Sequence, residues 1–473
     1  MMNHPKIAYI GGGSKMWARI FMNDLALDKD MCGEIALYDI DIEAAKRNEI
    51  LGHMINHDPL TISKWDYYVT KTIEECLNEA TFVVLSILPG TFEEMQSDVH
   101  EPESVGIYQT VGDTAGPGGV LRAMRTVPLY EYFANKIKEI CPNAWVINLT
   151  NPMSICLKTL YDVFPQIKAF GCCHEVFHAQ DFLGMVVAER FGLKSRPTRK
   201  EIEIDVAGIN HFTWITKAFY VNEKGEKIDV FTLLPAFINN HFEEGIYEGK
   251  HKDQFKYDTY AYGNKVKMDL FRKYGILAAA GDRHLVEFFN NNWYLENLET
   301  IREWAIAITP VSSRIESMNN KIQTTLDVIS GKEKLQIKKS SEEAIDMMKA
   351  ILGLGDLKTN VNYPNIGQMS DFPQGSIVET NCVFSKDQLI PTPSFLLGTS
   401  VNNLCLRNSL NIDSLYEGIK NRNFQEIYAS FINQPLCSTL SNKVGQALFK
   451  KMVMNTKKYL TPFFDLNDLK KLQ

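Results

Sequence analysis

Apolar residues at 6–10 form a short run that passes straight into Gly11-Gly12-Gly13-Ser14, and apolar positions then recur at helical spacing from 17 to about 27. Further apolar runs at 34–39, 81–87 and 145–148 are separated by other segments, among them a helical pattern over 129–140. Uninterrupted apolar strands are those covered on both faces, as in a parallel sheet. Strand and helix in alternation predict a doubly wound, Rossmann-like α/β sheet. From about residue 180 the pattern changes. A helix over 180–191 leads to an alternating strand over 202–208, and the later chain carries strands over 360–365 and 377–381 among helical patterns that run to 472. The expected division is a Rossmann-like domain over 1–200 and a helix-rich α+β domain over 201–473, closely fused because no Gly/Ser linker separates them.

The glycine turn is where chemistry first enters. Strand, glycine turn and helix bring backbone N–H groups and a helix N-terminus up to a pyrophosphate. Gly11 and Gly13 match the first two glycines of G-x-G-x-x-G, Ser14 follows them, and Met16 stands at the third position. The second strand ends in Asp39, 28 residues after Gly11. An acid there bonds ribose hydroxyls of NAD and repels the extra phosphate of NADP, with Asp41 as a second candidate.

Later polar clusters fall beside strand ends, where open α/β sheets bind ligands. The loop over 111–119 holds Asp113 among five glycines or prolines and is followed by Arg122 and Arg125, which a surface loop would leave solvated. Asn151 precedes Pro152, either as a held-out amide for hydroxyl groups or as a helix cap. Cys172-Cys173-His174-Glu175 places thiol, imidazole and carboxylate together, and Asn210-His211 follows the strand over 202–208. Cys173 and His211 would make an incomplete transition-metal site with positions open for sugar hydroxyls, unless both are packing residues. Asp258, Tyr260 and Tyr262 are candidate bases, and Arg283 can clamp a carboxylate beside His284.

Composition narrows the picture only slightly. A net charge of −7 argues against nucleic acid as the main partner, and no apolar run is long enough for a membrane span. Nine cysteines without a disulfide-type framework suit a reducing cytoplasm.

With these residues in view, the chain resembles family 4 of the glycoside hydrolases. The resemblance is carried, in order, by IAYIGGGS, IALYDID, VGDTAGPGGVLRAMRTVP, NLTNPMSICL, GCCHEVF and GINHFTW, and continues through YGILAAAGDRHLVEF and LGLGDLKTNVNYPNIG. GCCHEVF with AAGDRHL looks most like the α-galacturonidase branch; the family's phospho-glycosidases carry Asp where this chain has His174. The family is the NAD-dependent exception among glycosidases. The resemblance implies NAD and a divalent metal, Mn2+ by analogy, with transient oxidation at C3 of the sugar, loss of the C2 proton, elimination at C1 and re-addition of water. Carried over by position, Cys173 and His211 are metal ligands, while Asn151 and Asn210 hold sugar hydroxyls. Asp113, Arg283 and His284 are further substrate contacts, Arg283 for the uronate carboxylate. The base falls in the segment 257–262, Asp258 first and Tyr260 second, and His174 assists the leaving group with Glu175 orienting it. A homodimer or homotetramer acting on α-galacturonides is expected. The alternatives are an α-glucuronidase or α-galactosidase of the same family, or an NAD-dependent dehydrogenase of sugars or hydroxy acids.

Overall fold

Six parallel strands form the centre of the molecule: β1 (Lys6–Ile10), β2 (Gly33–Tyr38), β3 (Trp65–Val69), β4 (Phe82–Leu85), β5 (Trp145–Asn148) and β6 (Lys168–Gly171). Their spatial order in this computed structural model is β3-β2-β1-β4-β5-β6, that of a doubly wound dinucleotide-binding sheet. The structure describes residues 4–247, 258–395 and 398–472. All four residues of β4 and of β5 are buried, which is why these segments read as unbroken apolar runs. Strand order reverses between β1 and β4, and the glycine turn stands at that crevice. Gly11 has φ +95°, and a Cβ there would lie 2.0 Å from the Ser86 carbonyl oxygen. Gly11→Ala is therefore expected to cost more than about 2 kcal/mol, read as a lowered urea midpoint.

The sheet does not end at β6. Strands β11 (Leu357–Pro364), β12 (Ile377–Ser385) and β13 (Gln388–Pro391) join it antiparallel, with Asn362 opposite Gly171, giving nine strands. The expected divide at residue 200 falls in the turn Arg199–Glu201, yet the sheet draws on chain from both sides of it. An open β6 edge would present unpaired backbone groups, and the pattern over 360–365 announces a strand without saying which edge it covers. A second sheet, antiparallel, contains β7 (Ile202–Ile209), β8 (Phe212–Val221), β9 (Lys227–Asp229) and β10 (Leu277–Ala278). The Val206 amide donates to Asn381 Oδ1 at 2.7 Å and so ties β7 to β12. Helices Thr399–Lys420, Phe424–Ile432 and Asn442–Asn455 share one apolar core with the 25-residue helix Gly116–Ile140 and with Phe212, Trp214 and Phe288. Among the described residues no helix is long and apolar enough to cross a membrane.

Candidate active site

The glycine turn and the end of β2 form one end of the site. Asp39 Oδ2 accepts from the Gly13 amide at 2.8 Å, and Asp39 Oδ1 accepts from the Asp41 amide at 2.8 Å. A Cβ at Gly13 would lie 2.8 Å from Asp39 Oδ2, so the bare backbone is what lets turn and acid meet. Ser14 Oγ accepts from the Trp17 amide at 3.0 Å and holds the first turn of the following helix. Asp41 instead caps the helix Ile42–Asn56 and faces Lys15 at 3.6 Å. Of the two acids, Asp39 is the one seated at the turn.

The other end is built on a tight hairpin. Ile209 pairs with Phe212, leaving Asn210 and His211 as a two-residue loop between β7 and β8. His211 is buried and has φ +61°, a left-handed conformation that a histidine rarely adopts. Such strain gathers at functional sites, where the surroundings hold the residue in place. The His211 ring lies 3.8 Å, centroid to centroid, from that of His284, and His211 Nδ1 is 3.0 Å from the Thr114 hydroxyl. Ligand atoms of Asp113, His211 and His284 all lie within 4.8 Å of one another. Two imidazoles and a carboxylate suit a first-row divalent cation, and three protein donors leave coordination positions open.

The charges around this group favour the ligating forms. Burial and the adjoining His284 push His211 down to about 3, against the pull of Asp113 and Glu175. Burial likewise lowers His284. Both rings therefore keep a lone pair at neutral pH. Burial alone would raise Asp113, but Arg122, His284 and His211 together hold it at about 2. Glu175 follows the same logic: burial opposes ionisation, and the imidazoles of His284, His174 and His211 overcome it, leaving the carboxyl well below its usual range. Its Oε2 accepts from the Gly281 amide at 2.6 Å.

The loop over 111–119 is rigidly tied. Glu287 Oε1 accepts from the amides of Val111 at 2.7 Å and Gly112 at 2.9 Å, while burial pushes its carboxyl up to about 7. Arg122 and Arg125 are not solvated as a surface loop would leave them: they are 8% and 3% exposed. Arg122 Nε donates to the Asn151 carbonyl at 3.0 Å, which fixes that loop against the first. The helix Met153–Val163 is capped by Pro152, so Asn151 is not its cap. The amide oxygens of Asn151, Asn210 and Asn362 are buried without a hydrogen-bond partner, while the amide nitrogens of Asn210 and Asn362 face the Cys173 sulfur and the Glu379 carboxylate. Orphaned amides of this kind are uncommon and mark where a ligand's hydroxyl groups would satisfy them.

The structure assembles the expected residues differently from the sequence reading in one respect. His211 is grouped with Asp113 and His284, and the Cys173 sulfur is outside that set. Cys173 is buried beside Asn210 and Glu175, where burial and the charge of Glu379 raise its thiol well above the ordinary value. His174 stands 3.8 Å from Glu175 and 3.6 Å from Glu342. Asp258 and Tyr260 lie in a cleft of about 530 Å³ with Lys15, Arg19, Glu316 and Lys321, which runs from the glycine-turn helix. Asp258 Oδ1 accepts from the Tyr260 amide at 2.8 Å. Tyr257 lies outside the described residues. Tyr262 reaches deeper: a Cβ on Gly281 would stand 2.9 Å from its hydroxyl and 3.2 Å from Glu175 Oε2. Arg283 is buried, with its guanidinium 5.3 Å from the Tyr260 ring centre. Glu379, Glu342 and Asn362 escaped the sequence reading, since each sits in a strand or helix pattern whose apolar neighbours mask it.

The sequence model of "Family 4 glycosyl hydrolase" matches residues 6–189, and that of its C-terminal domain matches residues 206–437. An alpha-galacturonidase of Thermoanaerobacterium saccharolyticum is 48% identical over 454 residues, 96% of each chain. Among solved structures, a putative glucosidase from Bacillus subtilis is 40% identical, with TM-score 0.87 over 95% of this chain and 99% of its own. A 6-phospho-alpha-glucosidase from gut microorganisms, solved with NAD and Mn2+, shares the fold at TM-score 0.79 and 17% identity, over 97% of this chain and 99% of its own. With both domain models matched over most of its length, the chain belongs to family 4 of the glycosyl hydrolases.

Proposed function

We propose that this protein hydrolyses α-galacturonides and releases galacturonic acid, using NAD and a divalent cation, Mn2+ by kinship with the family. The observation that carries the reading is the Asp113–His211–His284 group, linked to the glycine-turn helix through Trp17, His174 and Glu175, in a chain 48% identical to an alpha-galacturonidase. The residues fit both groups. The turn is bare of Cβ atoms where a pyrophosphate approaches, and Asp39 stands beside it for the ribose. Asp113, His211 and His284 present an O,N,N set to a cation, with Cys173 as the sulfur donor next to Asn210. When bound, the nicotinamide supplies a reversible hydride acceptor and the cation a Lewis acid for sugar oxygens.

The chain's own groups do the rest. Asn151 and Asn210 hold ring hydroxyls with amide oxygens that otherwise lack partners. Asp258, with Tyr260 next to it in the cleft, takes the proton from C2. His174, oriented by Glu175, gives a proton to the departing glycosidic oxygen. His211 and Arg283 are buried and Asp113 and His284 half-buried, which limits the access of bulk water to the cation.

The test is a panel of aryl α-glycosides with NAD and Mn2+ supplied or withheld. Galacturonide cleavage that needs both, with solvent deuterium entering C2 of the product, supports the proposal. NADH accumulating in step with turnover would show a dehydrogenase instead. Asp39→Asn is expected to weaken NAD binding about ten- to a hundredfold, the range of a lost charge-assisted hydrogen bond, and to narrow the preference over NADP. Fluorescence titration with each dinucleotide measures it.

A further inference from the structure

Two arginines from separate elements end at one point beside the metal group. Arg283, on the short helix Asp282–Leu285, donates from Nη2 to the Thr110 carbonyl at 2.7 Å and to the Thr309 hydroxyl. Arg314, on the helix Val311–Ile329, donates from Nη2 to the Val111 carbonyl at 3.4 Å. Thr110 and Val111 are consecutive and lead directly into Gly112 and Asp113. The two guanidinium groups are thus moored side by side on the backbone that carries the metal group's carboxylate.

Part of their hydrogen-bonding capacity is unused. The Nε atoms of Arg283 and Arg314 are both buried without a partner. Arg283 is 9% exposed. Glu287, which lies nearby, already accepts from the amides of Val111 and Gly112 and from the Thr110 hydroxyl. Like charges kept together away from water cost free energy. A planar carboxylate offsets that cost well, because a guanidinium presents a fork of N–H donors that matches its two oxygens.

We infer that Arg283 and Arg314 together receive the carboxylate of the uronide ring, with Arg314 as a specificity-determining residue. The inference rests on the α-galacturonide reading above. It accounts for two cations so close to a divalent cation site: the ring's vicinal hydroxyls face the metal group while its C5 carboxylate reaches the arginines. A galactoside has an uncharged hydroxymethyl group at that position and gains nothing from either.

The experiment uses the full-length protein loaded with NAD and Mn2+ and compares 4-nitrophenyl α-galacturonide with 4-nitrophenyl α-galactoside. Arg314→Gln is expected to lower kcat/KM for the galacturonide about a hundredfold, mainly through KM, as for a truncated buried charge pair. The galactoside should change less than about threefold, and Arg314→Lys should recover part of the loss. Calorimetric titration with galacturonate and with galactose gives a second readout independent of turnover. Losses of equal size on both sugars, or undiminished galacturonate binding by Arg314→Gln, would overturn the inference while leaving the α-galacturonidase reading intact. Wild-type protein that neither cleaves the galacturonide nor binds galacturonate would remove both.

Discussion

His211→Gly is expected to lower kcat/KM at least about 10³-fold, equivalent to about 4 kcal/mol of lost transition-state stabilisation. Glycine is the informative substitution because φ at this position is +61°, which glycine adopts freely, so the hairpin between β7 and β8 is kept. What is lost is one of three donors gathered within 4.8 Å and the ring whose centre lies 3.8 Å from that of His284. Removing a partner that merely orients a ligand costs ten- to a hundredfold in metal affinity, and removing a ligand itself should exceed about a hundredfold. Calorimetry with Mn2+ checks this, while NAD affinity, set at the glycine turn, should stay within about threefold. The same titration ranks the other donors. Asp113→Asn should weaken Mn2+ binding more than Cys173→Ser if the geometric group is the binding group. The reverse order would restore the Cys173–His211 pair as the principal ligands.

The halves of this site differed in how plainly the sequence announced them, and the difference is one of distance along the chain. The glycine turn, Asp39 and the buried strands β1, β4 and β5 are local features: each is read from a run of a few residues, and the parallel sheet then follows from strand–helix alternation. The metal group has no such signature. Asp113, His211 and His284 are separated by 98 and 73 residues, and they meet because Glu287 binds the amides of Val111 and Gly112 and so draws one loop onto the next helix. Asp113 and His284 could be marked as sugar contacts from their polar surroundings, but their joint role with His211 depends on tertiary geometry. Cys173 shows the converse. Thiol and imidazole, 38 residues apart, suggested Cys173 and His211 as a ligand pair, whereas the fold groups His211 with Asp113 and His284 and sets the thiol beside Asn210. The strands over 360–365 and 377–381 were recognisable as strands, but periodicity carries no information about which sheet edge they cover. Arg122 and Arg125, which a plain surface loop would have left in solvent, are buried because the loop they follow is itself packed beneath the C-terminal helices.

Arg125→Met should destabilise the fold by about 3–5 kcal/mol, the usual cost of removing one partner from a buried ion pair. Arg125 and Asp98 are 3% and 2% exposed. The guanidinium donates to both Asp98 oxygens, to the Pro89 carbonyl at 3.1 Å and to the Thr456 hydroxyl at 3.1 Å. It therefore joins the helices Phe92–His100 and Gly116–Ile140 to the C-terminal end of the chain. Methionine fills similar space and leaves a carboxylate buried with no cation. Burial already raises Asp98 in spite of Arg125, so removing the cation raises it further. A carboxyl whose folded pKa lies above its unfolded value binds protons preferentially in the native state, and stability falls as pH rises through that interval. The deficit of Arg125→Met relative to wild type should accordingly shrink between pH 7 and pH 5, measured as urea midpoints at each pH. Asp98→Leu combined with Arg125→Met should recover much of the loss, because a buried pair replaced by apolar groups of similar volume is often near neutral. A double variant as unstable as the sum of its parts would show that the bonds to Pro89 and Thr456, rather than the stranded charge, carry the effect.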